Sequence, residues 1–279
     1  MNSRILQRIK YSPLSKFAAL PKRTNMGFAP LGAKALQVVR WLVMSREWAN
    51  FSYDYEAEGL QAIICSLSAL SGCSNAQLRE YARELHEDAV FAERYHSQVR
   101  STELRWTSDR QLHFGRCLVN YMLVRASGAR FIFEAGTERG LSTWAMCRAV
   151  VRNGDSALNA QILTVVSQAD RGGFLIGDEG GLVRRLVGDS VASLLEVTAP
   201  IDLFLHDTVN DPEHSRAQFA ALATRMAPGA LVHSCWFSTQ FAEFCEQQGL
   251  VALEYAERPK QHWYAGRRCG LAVRAGKVS

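Results

Sequence analysis

The sequence predicts an α/β protein in which a mostly parallel, seven-stranded sheet follows an N-terminal helical cap. Three observations carry this prediction. From about residue 130 onward, short β-prone runs alternate with helical stretches, the pattern of parallel strands joined by helical crossovers on both faces of a sheet. Before that point, residues 34–127 read almost entirely as helix. Between the two regions, Phe131-Ile132-Phe133 runs into Glu134-Ala135-Gly136 and then a helix opening at Gly140, a strand, a glycine loop and a helix in succession.

Three segments follow from this: a basic arm over 1–33, a helical cap over 34–127 and a sheet domain over 128–279. The arm is interrupted by Pro13, Pro21 and Pro30. Residues 1–46 hold nine Lys or Arg and no Asp or Glu, so against a net charge of +5 the remaining chain carries about −4. An acid-free, Arg-bearing start resembles a transit peptide or a contact for an anionic surface; the plainer reading is a solvated arm. In the cap, an apolar stretch covers Ala33 to Met44, and helices are expected over Glu56–Leu70 and Asn75–Leu85. The turn Ser71-Gly72-Cys73-Ser74 separates the last two, with Ser74 and Asn75 as N-cap candidates. A last cap helix is expected from Asp109 to Ser127.

In the sheet domain, strands are expected at 130–133, 162–166, 182–187, 201–205, 230–233, 251–255 and 269–274. Helices fit 140–151, 190–196, 212–227 and 237–248. No convincing helix separates the last two strands, so the chain is expected to end in a hairpin on the otherwise parallel sheet.

Composition narrows the classes. The chain is 48% apolar and 21% charged, ordinary for a soluble globular protein. Its longest apolar stretch, Leu60 to Leu70, contains serines and falls far short of a membrane span. The seven cysteines are scattered with no CxxC pair, which suits reduced core thiols in a cytoplasmic protein and gives no zinc-ligand spacing. No metal site is expected. No basic-aromatic array recurs, so nucleic acid is not an expected partner.

The loop from Glu134 to Thr143 is the most informative stretch. Gly136 permits a tight turn, Gly140 permits a close helix start, and the N–H groups there favour a carboxylate. The spacing is Gly-x-x-x-Gly and not the dinucleotide GxGxxG fingerprint. Glu134-x-Gly136-x-x-x-Gly140-x-Ser142 resembles motif I of the class I S-adenosylmethionine (SAM)-dependent methyltransferases, especially a small bacterial subgroup reading E-x-G-x-x-x-G-x-S-T. Val187-Gly188-Asp189-Ser190 is similar to the segment framing adenine, Ile201 to Asp207 to the fourth strand, and Arg225 to Leu231 to the turn before the fifth. The resemblance spans roughly residues 130–235. More softly, the helical residues 34–127 and the segment around His262-Trp263-Tyr264 resemble relatives with an N-terminal helical cap.

The resemblance implies a Rossmann-like fold, SAM as cofactor and Glu134, Gly136, Thr137, Gly140, Ser142, Asp189, Ser190 and Asp207 at the cofactor. Glu134 would orient the SAM amino group or cap the next helix; Asp189 would frame adenine, cap a helix, or do both. One departure stands out. The family places an acid after the second strand for the ribose hydroxyls, but here the chain reads Ser167-Gln168-Ala169-Asp170. Ser167 or Gln168 would substitute with a neutral hydrogen bond, weaker than a charge-assisted one, or Asp170 would reach around.

His206 and Asp207 fall at the carboxyl end of a strand, the edge where open α/β sheets place ligands. They are the catalytic candidates, with His206 as base for an acceptor that must lose a proton. Asp211 and His214 follow closely, as metal ligands or as a polar loop opening a helix. Tyr53 and Tyr55, with Phe51, are candidates to enclose a sulfonium by cation–π attraction, and His262 and Tyr264 to line a substrate pocket; helix-to-domain packing is the plain alternative for both groups. The function expected is methyl transfer to a small metabolite, as in secondary metabolism. Two alternatives stand beside it: a SAM-consuming cyclase or lyase, like azetidine-2-carboxylate synthases that release methylthioadenosine, and a non-catalytic binding protein. Partners are then a small-molecule substrate and, as an open option, a second copy in a homodimer.

Overall fold

The computed structural model describes residues 20–47, 52–102, 104–167, 180–208 and 211–274. The chain divides into two compact units, residues 1–45 with 261–264, and residues 46–260 with 265–279.

In the first unit, helix α1 (Leu20–Met44) runs for 25 residues, and the Trp41 ring lies 5.1 Å from that of Trp263. Most of the basic arm, residues 1–19, is outside the described residues.

The second unit holds helices α2 (Ala57–Ser71), α3 (Asn75–His86), α4 (Ala89–Ser101), α5 (Leu104–Thr107) and α6 (Arg116–Ser127) ahead of the first strand. Of the two N-cap candidates Ser74 takes the role, its hydroxyl accepting from the Gln77 N–H, and Asn75 is the first helical residue; Gly72 ends α2 in the left-handed region at φ 74°. Helix α4, not separated in the sequence reading, starts where the Asp88 carboxylate accepts from the Phe91 N–H at 3.0 Å. The helix expected from Asp109 begins only at Arg116. The preceding residues are held by side-chain partners instead: Asp109 accepts from the Arg46 N–H at 2.7 Å, and Asp54 accepts from the Phe114 N–H at 3.0 Å and meets His113 at 2.8 Å. Gly115 then turns with φ 46°. Helix α6 is buried on all sides from Cys117 to Val124, as its run of apolar residues requires.

The sheet comprises β1 (Phe131–Ala135), β2 (Gln161–Val166), β3 (Val183–Val187), β4 (Ile201–His206), β5 (Met226–Ser234), β6 (Val251–Ala256) and β7 (Arg268–Val273). Its order is β3-β2-β1-β4-β5-β7-β6. The first five strands are mutually parallel, while β7 inserts antiparallel between β5 and β6. The fold is therefore the mostly parallel, seven-stranded, Rossmann-like sheet that the alternation predicts. Helices α7 (Leu141–Arg152), α8 (Ser190–Leu195), α9 (Pro212–Ala223) and α10 (Thr239–Gln248) make the crossovers. Strand β5 starts earlier than expected and takes in Pro228-Gly229, with an irregular register against β4 between Ile201 and Leu203.

Phe133, Phe204, Phe219, Phe241 and Leu222 are fully buried in the core beside the sheet. The segment around Tyr55 is tied to the C-terminal part of the unit by backbone bonds, Glu56 N–H to Arg258 O at 2.8 Å and Lys260 N–H to Asp54 O at 2.7 Å. Among the described residues, no helix is long and apolar enough to cross a membrane. Five of the seven cysteines (117, 147, 235, 245 and 269) are buried free thiols.

Candidate active site

Parallel strands present all their carboxyl ends at one edge, and there the molecule opens a cleft of about 710 Å³, within the range of roughly 300–1,000 Å³ typical of small-ligand sites. Strand order dictates its layout. Gly188, Asp189 and Ser190 beyond β3 wall one end, Val166 and Ser167 of β2 follow, and Gly136 to Glu138 beyond β1 and Asp207 beyond β4 occupy the middle. Trp236 beyond β5 and Arg267 before β7 wall the other end. A second cavity of about 110 Å³ shares Gly136, Thr137, Glu138 and Asp207 with the cleft and is otherwise lined by Tyr53, Arg116, Arg139 and Ser142, among others.

Gly136 holds φ 104°, and a Cβ there would lie 2.0 Å from the Asp207 carbonyl oxygen. The glycine is thus demanded by the crossing of two chain segments, beyond any ligand approach. Gly140 takes φ 85° as the N-cap of α7. At Gly188 a Cβ would meet nothing within 4 Å.

Residues 133–234 match the family model of a methyltransferase domain. That segment, a little over a third of the chain, is similar to a methyltransferase domain. Among solved structures, a candidate O-methyltransferase from Klebsiella pneumoniae superposes with a TM-score of 0.51 at 17% identity, covering 72% of this chain and 97% of that one. The O-methyltransferase TomG of Streptomyces achromogenes, involved in tomaymycin synthesis and solved with SAM, gives 0.48 at 20% identity, with 68% and 91% covered. An O-methyltransferase from Bacillus cereus, solved with S-adenosylhomocysteine, gives 0.45 at 18%, with 76% and 97% covered. These likenesses are of fold. No curated protein matches the chain.

Around the cleft, the sequence candidates separate by position. Thr137, Ser167, Asp189, Ser190 and Asp207 line it, as does Gly136. Ser142 lines the smaller cavity, where its hydroxyl accepts from Asn120 at 3.1 Å. Asp189 caps α8 by accepting from the Ala192 N–H at 2.8 Å while standing at the cleft wall. Ser190 meets His214 at 3.1 Å and accepts from Gln218. Gln168 and Asp170 lie outside the described residues.

Glu134 and His206 lie off both cavities. Glu134 is 2% exposed and lines neither cavity. It accepts from Thr143 and from Thr164, and Thr164 in turn meets Thr137 at 2.7 Å. Glu134 thus braces the loop from behind. Burial pushes its carboxyl up to about 7 against the lowering effect of the two threonines. His206 is 1% exposed and also lines neither cavity. Its Nδ1 meets Ser234 at 3.0 Å and its ring lies 4.8 Å from Phe219. Burial lowers its pKa to about 4, leaving it neutral at pH 7. Successive residues of a strand face opposite sides, so β4 sends His206 into the core and passes the open edge to Asp207.

Of the aromatics, Tyr53 lines the smaller cavity, its hydroxyl donating to Glu257 at 2.6 Å. Tyr55 is buried against the same carboxylate at 3.3 Å and lines neither cavity. His262 and Tyr264 belong to the first unit, where the Tyr264 N–H donates to His262 Nδ1 at 3.0 Å.

Sequence reasoning missed Glu138, Trp236 and Arg267 of the cleft and Arg116 of the smaller cavity. Arg116 donates to Asp207 at 2.8 Å and approaches Glu257 at 3.5 Å. Arg267 stacks 4.0 Å over Trp236. Glu138 lines both cavities in a left-handed conformation, φ 44°, uncommon outside glycine. Burial raises the pKa of its carboxyl, and the Asp207 charge adds to the rise against Arg116, Arg139 and Arg267. Only Glu138 had a readable signal, as an acid inside the glycine loop.

Proposed function

We propose that this protein methylates an oxygen of a small organic acceptor bound at the Trp236–Arg267 end of the cleft. The layout of the cleft carries the reading: one cavity crosses the ends of β3, β2, β1, β4, β5 and β7 and is walled midway by Gly136, Glu138 and Asp207. Bound SAM supplies an electrophilic methyl group. Val166, Ser167, Gly188 and Asp189 would hold the adenosyl portion, with the Ser167 hydroxyl in the position where the family places an acid. Arg116, Arg139 and Ser142 receive the amino-acid portion in the smaller cavity. The Asp207 carboxylate, fixed by Arg116, would supply negative charge in the middle of the cleft for a cationic group of SAM.

At the other end, Trp236 offers a flat apolar face and Arg267 a stacked cation. An acceptor hydroxyl directed toward the middle of the cleft would meet Glu138, whose pKa burial raises, which makes the carboxylate a stronger proton acceptor. In-line displacement then asks the protein for proximity and water exclusion more than for a nucleophile of its own. His206, buried and neutral, has no part in this scheme.

Product analysis tests the reading. The full chain incubated with SAM and a panel of small hydroxylated compounds is expected to release S-adenosylhomocysteine only when an acceptor is present. Methylthioadenosine formed from SAM alone would contradict it and point to cyclisation or lyase chemistry. Failure to turn over SAM with any acceptor, despite binding it, would favour a non-catalytic role.

A further inference from the structure

We infer that α1 is an interfacial helix that seats the protein on an anionic lipid bilayer. At 3.6 residues per turn, Leu31, Ala35, Val39 and Leu42 recur on one side of α1, and Leu36 and Val43 widen that stripe to an arc of about 140°. All six side chains are exposed, Leu36 by 71% and Val43 by 79%. Arg40, also exposed, falls at one margin of the arc, and Lys34, exposed as well, about 60° beyond the other, past Val38. Gln37, Val38 and Trp41 are half-buried, and the Trp41 ring packs on Trp263, away from the stripe.

An apolar stripe edged by cations is the arrangement by which a helix lies in a headgroup layer, its apolar face in the acyl boundary and its basic chains reaching up to the phosphates. Charge selects the occupant. Residues 1–46 carry nine Lys or Arg and no acid, and each basic group near an anionic membrane strengthens binding about fivefold. The rest of the chain, with its excess of acids, has no such complement. Since no described helix is long and apolar enough to cross a membrane, α1 lies on the surface.

Co-sedimentation of the full chain with vesicles tests this directly. Binding is expected to vesicles of phosphatidylcholine and phosphatidylglycerol in equal parts, to weaken as salt is raised, and to be at least tenfold weaker on phosphatidylcholine alone. Lys34→Glu with Arg40→Glu, and separately Val39→Asp with Leu42→Asp, should each lower binding more than tenfold while SAM affinity stays as in the wild type. The milder pair Val39→Gln and Leu42→Gln checks the apolar arm should the aspartates disturb folding. The inference falls if anionic vesicles leave the protein in the supernatant, if both vesicle types bind equally, or if the variants bind as the wild type does. It falls equally if the wild type is a dimer in solution that the Val39 and Leu42 variants dissociate, because the stripe would then join two copies.

Discussion

Arg116 Nη1 donates to Asp207 Oδ1 at 2.8 Å, so the first residue of α6 fixes the carboxylate at the end of β4. The same guanidinium lies 3.5 Å from Glu257, whose side chain is fully buried and also accepts from Tyr53 and Tyr55. Removing the cation strands a buried acid. Arg116→Leu should therefore lower stability by about 3 kcal/mol or more and weaken SAM binding, whereas Arg116→Lys, with charge but no fork, should be milder in stability. Denaturant unfolding and calorimetry with SAM measure both; unchanged values in Arg116→Leu would show that the cluster is idle.

Gly136 and Gly188 make a paired test. A methyl group at Gly136 would collide with the Asp207 carbonyl at 2.0 Å, while one at Gly188 would meet nothing. Gly136→Ala should disrupt the β1–β4 junction and abolish SAM binding. Gly188→Ala should cost only the strain of its positive φ, about 1–3 kcal/mol, in thermal or denaturant unfolding.

This pair also shows what the sequence discloses. The glycine loop, the strand and helix alternation and the terminal hairpin were legible, because turn chemistry and periodicity are local signals. That Gly136 faces a carbonyl 71 residues away was not local and was not legible. The same holds for the choice between His206 and Asp207. Their strand was clear, but which face each took depends on register against β1 and β5. Arg116, Arg267 and Glu257 belong to no motif; only the packing of α6 and the β6–β7 region against the strand ends brings them to the cleft.

Glu138→Gln should reduce kcat by about 100-fold or more while SAM affinity changes little, as expected for loss of a proton acceptor. His206→Asn should do the reverse, lowering stability through the lost Ser234 contact and leaving kcat of the folded protein nearly intact. Steady-state kinetics with the identified acceptor, alongside unfolding curves, separate the two. A large kcat effect confined to His206→Asn would restore the histidine to the chemistry.

Stability should decline in mild acid. His206 and His233 have native pKa values lowered by burial to about 4 and about 3 from an ordinary 6.5. Below pH 6.5 the unfolded chain takes up protons that the native state refuses, so stability present above that pH drains away as pH falls toward 4. Glu134 acts in the opposite sense, its raised native pKa of about 7 giving stability that is lost as pH rises from 4.5 through 7. Glu138, also raised by burial, adds to the carboxyl side, but the two histidine shifts together exceed the shift of Glu134. Urea midpoints should fall between pH 7 and pH 4.5, and the fall should be steeper in Glu134→Gln; a shallower fall in that variant would reverse the assignment.

The position of the reacting sulfur bears most directly on the proposed chemistry. In a crystal of the full chain grown with S-adenosylhomocysteine, the adenosyl group should lie between Val166–Ser167 and Asp189, the amino-acid end should enter the cavity beside Arg116, and the sulfur should sit where the two cavities meet, next to Asp207 and Glu138. Density for the ligand outside the cleft, or a sulfur turned away from Glu138 and the Trp236–Arg267 end, would contradict methyl transfer at this site.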